Sequence, residues 1–164
     1  MKMLVTRDEI YQRTPVNGNL DYDKVLPHVL TAQDTHVQEV LGTNLYNKIV
    51  TDFNADTLVD PYLTLLNTWI KPMLIHFVAS DFYLFHAFEI GNGGIFRHQG
   101  DSSITPDMKD IDRLHSEQKK FAVFYRERLI DYICNNTSLF PEYYTTQNGQ
   151  LSPSTKISNN SIVL

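Results

Sequence analysis

The sequence from Pro61 to Ile90 predicts one long helix that other helices must surround. Apolar residues recur at helical spacing on nearly every face of this segment, and such a helix is stable in water only when neighbours cover it. Asp60-Pro61 is a typical helix start, a capping residue followed by proline, and Pro72 predicts a kink. The expected fold class is all-α: a small helical bundle with a long kinked central helix.

A single glycine divides the stretch Ala32–Ile49, AQDTHVQEVLGTNLYNKI, into two helical segments. Apolar residues continue at helical spacing on both sides of Gly42, and a glycine with positive φ commonly ends a helix. Thr43 is a suitable cap for the second segment. The pattern predicts two helices joined by a tight elbow, with both apolar faces buried on the same neighbour.

Two further helices begin at recognisable caps. Thr6 and Glu9 form a capping box that predicts a short first helix. Thr105-Pro106-Asp107 begins the last helix. The buried stripe of that helix is expected at Ile111, Leu114, Phe121, Tyr125, Leu129 and Tyr132.

Glycines interrupt the helical pattern between the central and the last helix. They predict a short β-hairpin or ordered loop over about 91–105. The candidate contact residues on this element are Ile95, Phe96, Arg97 and His98.

The composition changes after Tyr144, where the chain becomes polar and cannot bury a core of its own. We therefore divide the chain into a helical domain, 1–144, and an extended C-terminal tail, 145–164. The end of the tail is apolar again, which predicts that it docks on another surface. The candidate docking residues are Ile157, Ile162, Val163 and Leu164.

The charge and the cysteine count restrict the class of function. A formal net charge of -5 argues against a free-standing nucleic-acid binder, although an acidic wall would let DNA slide past without sticking. One cysteine, Cys134, excludes an internal disulfide and favours a reducing compartment. Neither a signal-peptide core nor a membrane helix is expected, so we expect a cytoplasmic protein at synthesis with no membrane partner.

Histidines are the main candidates for a chemical site. His36 and His86 each have a glutamate three residues later, and together with His76 they are candidate ligands of a helical metalloprotein. The order of these pairs is the reverse of the Glu-x-x-His pairs in di-iron bundles, and ordinary hydrogen-bonded histidines are the alternative. Phosphate-loop and nucleophile-elbow motifs are missing from the sequence. We predict no catalytic residue, no cofactor and no metal.

Asp81 is the candidate for a buried charge. It lies in line with apolar residues of the central helix, and a buried carboxylate needs a partner. The candidate partners are Arg126 and Arg128, or a lysine, of the last helix. The alternative is that the kink at Pro72 turns Asp81 to the surface.

The order of these parts resembles the head–tail connector proteins (adaptor or neck ring proteins) of tailed bacteriophages, in particular those of crAss-like phages. The resemblance covers about Asp21 to Tyr144. It is carried by the elbow segment quoted above, by KPMLIHFVASDFYLFHAF, by GGIFRHQGDSSITPDMKDIDRLHSEQKKFAVFYRERLIDYI, and by FPEYY with the polar tail.

The resemblance implies a structural virion protein and not an enzyme. Connector proteins of this kind form a dodecameric ring that binds the portal protein, extends the DNA channel and supports the next neck or tail component. On this chain, the tail would then dock on the portal or a neighbouring subunit, and the hairpin would make a subunit or channel contact. DNA would pass through the lumen without sequence-specific binding. The alternatives left open are a helical metalloprotein and a monomeric protein-interaction module.

Overall fold

A computed structural model of the 164-residue chain describes residues 2–16, 21–86, 107–147 and 149–154, together with the backbone of 88–91 and 94–97. The described chain is mostly helical, so the predicted all-α class is confirmed. In these ranges, no helix combines the length and the apolar composition that crossing a membrane requires.

The described ranges contain α-helices joined by tighter and wider helical turns. The α-helices are α1 (Arg7–Arg13), α2 (Leu26–Ala32), α3 (Gln38–Asn54), α4 (Tyr62–Thr64), α5 (Lys71–His86) and α6 (Met108–Asn135). Two π-helical segments, Gln33–Val37 and Leu65–Ile70, join α2 to α3 and α4 to α5. Short 3-10 turns lie at Tyr22–Lys24, Thr137–Leu139 and Pro141–Tyr144.

The continuous run from α4 to α5 is the predicted central helix, and it is bent. Its π-helical segment comes just before Pro72, whose ring would clash with a regular preceding turn and which has no amide hydrogen to donate. The Lys71 amide accordingly donates to the carbonyl of Leu66, five residues back. The helix ends at His86 and not near Ile90, which corrects the predicted end of this helix.

Two four-residue strands follow the central helix. Strands β1 (Phe88–Gly91) and β2 (Gly94–Arg97) pair antiparallel, with Phe88 opposite Arg97 and Gly91 opposite Gly94. They begin three residues before the predicted range of about 91–105. Residues 98–105 of that range, including His98, lie outside the described residues.

Helix α5 lies at the centre of the bundle. It packs against α6, α2 and α1, and its side chains are buried on several faces. The core is mostly aliphatic, with a few aromatic side chains. It includes Val29, Leu45, Ile49, Leu74, Val78, Phe82, Leu129, Ile133 and Phe140.

The capping box at the start of α1 is confirmed. The Thr6 amide donates to Glu9 Oε2 at 2.7 Å, and the Glu9 amide donates to Thr6 Oγ1 at 3.3 Å. Glu9 also accepts a hydrogen bond from Lys71 Nζ at 2.7 Å. The Glu9 carboxylate therefore caps the start of α1 and also links α1 to the central helix through Lys71.

The buried face of α6 is rotated from the predicted stripe: Ile111 and Leu129 are buried as predicted, but two other residues of the stripe are not. Leu114 and Phe121 are 45% and 49% exposed. The buried face includes two polar residues, Gln118 and Arg126, together with Ile111, Ala122, Leu129, Ile130 and Ile133. The prediction was wrong for Leu114 and Phe121, because a hydropathy pattern does not place polar residues inside. Here Gln118 and Arg126 are buried, and both have hydrogen-bond partners within the body.

Candidate docking site

The elbow lies at Gly42, which interrupts α3 with φ 71° and ψ 167°. A positive φ is disfavoured for residues with a Cβ, so glycine is the residue suited to this position. Leu41 and Leu45, on either side, are fully buried. The predicted elbow, with apolar faces buried on both sides of one glycine, is confirmed.

A C-terminal segment crosses this elbow. We call residues 149–154 the strap. The Thr43 amide donates to the Leu151 carbonyl at 3.0 Å, and the Leu151 amide donates to Thr43 Oγ1 at 3.0 Å. Further along, the Ser154 amide donates to the Glu39 carbonyl at 2.9 Å. The backbone of the strap is thus hydrogen-bonded to both helical segments of the elbow.

Gly42 and Pro153 are in close contact. A Cβ added at Gly42 would lie 2.7 Å from Pro153 Cδ and 3.0 Å from its backbone nitrogen. Real Cβ atoms do not approach other heavy atoms so closely, so a side chain at position 42 would displace the strap. Glycine at position 42 therefore has two effects: it permits the positive φ, and it leaves room for Pro153 of the strap.

Arg126 of α6 fixes the end of the strap. Its side chain is largely buried, and Nη2 donates to Ser154 Oγ at 3.0 Å and lies 3.6 Å from Glu39 Oε1. A buried guanidinium needs such partners, because removing it from water is costly. The sequence pattern made Arg126 a candidate partner of Asp81 and did not predict its hydrogen bond to Ser154.

The strap divides the predicted tail into two parts. Residues 149–154 belong to the folded body, whereas the predicted docking residues Ile157, Ile162, Val163 and Leu164 lie outside the described residues. Ser154, the last described residue, is held between α3 and α6. The end of the strap at Ser154 is therefore fixed on the body.

Asp81 does not pair with Arg126 or Arg128, which corrects the prediction. Its Oδ2 lies 3.8 Å from His36 Nε2, and both side chains are 28% exposed. Asp81 faces the segment that precedes the elbow, whereas α6 packs on the side of α5 that carries His76 and Ser80. The partner was misassigned because one sequence does not show which neighbour covers which face of a central helix.

Arg128 lies on the exposed surface of α6. Its guanidinium is above the rings of Trp69 and Phe124, 5.8 Å and 5.4 Å from their centroids. It contributes to the wall of an open depression of about 370 Å³ with Trp69, Asp131, Tyr132, Asn135 and Asn136.

The three histidines of the metal hypothesis take part in packing and lie apart. His36 stacks on Phe77, with ring centroids 3.7 Å apart, and His86 stacks on Phe82 at 4.6 Å. His76 is buried, and its Nδ1 lies 2.8 Å from Gln118 Oε1. Among the described residues, no three His, Cys, Asp or Glu side chains are grouped to hold a metal ion.

A polar seam joins α5 to α6, and the sequence reasoning missed it. Next to the His76–Gln118 bond, Ser80 Oγ lies 2.9 Å from His115 Nδ1, and the Ser80 carbonyl lies 3.0 Å from the same nitrogen. His76 and Ser80 are four residues apart on α5, and His115 and Gln118 are three apart on α6. That matched helical spacing is the signal that would have indicated the seam.

The seam has an electrostatic consequence at His76. Burial lowers the pKa of this imidazole below its usual 6.5, the bond to Gln118 raises it in part, and nearby Arg13 lowers it further. The net effect favours the neutral form of His76 in the folded protein. The two pairs of the seam, His76 with Gln118 and Ser80 with His115, thus join α5 to α6.

The chain was compared with protein families, curated proteins and solved structures. A family model described as a family of unknown function, DUF6712, matches residues 37–152. The matched range includes the elbow and most of the strap, with both Thr43 and Leu151. No curated protein and no solved structure gave a significant match. The family match extends over more than half of the 164 residues, and the chain therefore belongs to the DUF6712 family.

Proposed function

We propose that this protein is a structural subunit of a ring at the neck of a tailed bacteriophage, a head–tail connector that binds the portal protein. In this role it extends the DNA channel and forms a platform for the next neck or tail component. It acts through its shape and its surfaces, without a catalytic residue or a cofactor, at the portal–tail junction of the virion. The order of elbow, central helix, hairpin and tail supports the proposal through its resemblance to connector proteins.

The observation that carries the proposal is the strap. Hydrogen bonds between the strap and Thr43 and Glu39, together with the side chain of Arg126, hold the chain up to Ser154 on the body. A segment anchored in this way gives the ten residues that follow a defined starting point and lowers the entropy lost when they bind. This suits a ring subunit that engages a partner with its C-terminal residues.

The hairpin is proposed as a second contact. Strands β1 and β2 follow the end of the central helix directly. We propose that Ile95, Phe96 and Arg97 on β2, with His98 after it, meet a neighbouring subunit or the side of the DNA channel. The net charge of -5 suits a channel wall that DNA passes without sequence-specific binding.

Imaging with the portal protein tests the proposal. The full-length chain is mixed with the portal protein of the same virus, and the complex is examined by electron microscopy. We expect a ring of twelve subunits seated on the portal. A chain that ends at Ser154 keeps the strap and serves as the matched variant, and we expect it to bind the portal less tightly. Failure of both proteins to associate with the portal would refute the proposed function.

A further inference from the structure

Helix α6 carries three exposed apolar side chains on one face. Leu114, Phe121 and Phe124, here called the α6 patch, are 45%, 49% and 50% exposed. Their spacing of seven and three residues aligns them along the helix. Contiguous exposed apolar surface is unfavourable in water and marks a site of interaction.

The strap ends on the other side of the same helix. Arg126 reaches Ser154 from the flank of α6 next to the elbow. Since each residue of an α-helix turns by about 100°, the three patch residues lie roughly 120–160° around the axis from Arg126. The described part of the chain therefore ends at one flank of α6, and the patch faces away from that flank.

Residues 155–164 have the length and the chemistry to cover the patch. Ten extended residues span at most about 33–36 Å, and the patch from Leu114 to Phe124 covers only about 15 Å of helix. The segment TKISNNSIVL carries the apolar side chains Ile157, Ile162, Val163 and Leu164, which match the apolar character of the patch.

We propose that the α6 patch is the docking site for residues 155–164 of a second copy of this chain. The inference rests on the proposed ring and names the surfaces that join its subunits. A head-to-tail ring needs two different surfaces that face opposite ways on each subunit. The exit of the strap and the α6 patch meet that requirement, whereas the chain's own tail would have to pass around the solvent side of α6.

Disulfide trapping between two full-length chains tests this docking. Both chains carry Cys134→Ser to remove the native exposed thiol. One adds Ile162→Cys in the tail, and the other adds Glu117→Cys, which leaves all three patch residues intact. After mixing and mild oxidation, with and without the portal protein, we expect a covalent heterodimer. Lys119→Cys, exposed on the strap side of α6, is the matched control and should give at least tenfold less product.

Three results would overturn the inference. The first is the absence of the heterodimer, and the second is an equal yield with Lys119→Cys and Glu117→Cys. The third comes from a chain that carries both Ile162→Cys and Glu117→Cys, if its disulfide forms mainly within one chain. The last result would assign the patch to the chain's own tail. Imaging of the same samples separates this failure from that of the proposed function, because a ring on the portal without the heterodimer would refute only the docking site.

Discussion

Thr43 and Leu151 form two hydrogen bonds with each other although 108 residues separate them in the chain. One bond is between backbone groups, and the other uses the Thr43 hydroxyl as the acceptor. Together they close the strap over the elbow. Because both residues belong to the range that the family model matches, we expect the strap to be part of the common fold.

Thr43→Val removes the hydroxyl acceptor and keeps the shape of the side chain. The Leu151 amide then loses its partner, so we expect a loss of about 0.5–1.5 kcal/mol in the free energy of unfolding. Hydrogen exchange at the Leu151 amide should become faster. Thr51→Val, at an exposed position of α3, is the matched control and should change neither quantity. Unchanged exchange in Thr43→Val would contradict the assigned bond.

Gly42→Ala combines two penalties. The backbone angles of Gly42, φ 71° and ψ 167°, lie in a region essentially confined to glycine and cost on the order of 1–3 kcal/mol for a residue with a Cβ. The new methyl group would also lie 2.7 Å from Pro153. Gly149→Ala is the matched control, because Gly149 also has a positive φ of 85° but has open space where a Cβ would lie. We expect chemical unfolding to show a larger loss for Gly42→Ala. Equal losses would mean that the contact with Pro153 does not limit the elbow.

Local signals in the sequence were sufficient for the elbow, the capping box and the bent central helix. Gly42, the Thr6–Glu9 pair and Pro72 each act through backbone chemistry within one or two turns. Contacts between distant segments were not predictable in the same way. Arg126 and Gln118 are polar, and only the assembled body shows that Ser154 and His76 lie beside them. The fold class could therefore be predicted from the sequence, whereas the candidate docking site could be identified only from the structure.

Asp81→Asn should reduce stability only slightly. Asp81 and His36 are both partly exposed and 3.8 Å apart, and even two opposite charges at such a position contribute only about 0–1 kcal/mol. A carboxylate buried against an arginine would give a much larger loss of about 3–5 kcal/mol when its pairing is broken. Thermal and urea unfolding of the variant separate the two cases. A loss near the larger value would restore the original prediction of a buried charge pair.

The stability of the folded protein should decrease as the pH falls through the range of histidine titration. Burial lowers the pKa of His76 and, separately, that of His28 below 6.5, while Asp81 partly opposes the effect at His28. The unfolded chain therefore binds more protons than the folded chain in this range. This contribution to stability is complete above pH 6.5 and is lost as the pH falls toward the folded-state pKa values.

Urea unfolding from about pH 7.5 to about pH 5.5 measures this dependence across the normal histidine pKa. His76→Gln keeps a polar group beside Gln118 but does not titrate, so we expect its free energy of unfolding to fall less than that of the unchanged protein. His28→Gln should, independently of His76, also reduce the dependence of the free energy of unfolding on pH. Glu9 titrates lower: burial raises its pKa, but Lys71 and Thr6 bring it below 4.5, so its contribution is lost only at more acidic pH. An identical slope in all three proteins would show that neither histidine is kept neutral by burial.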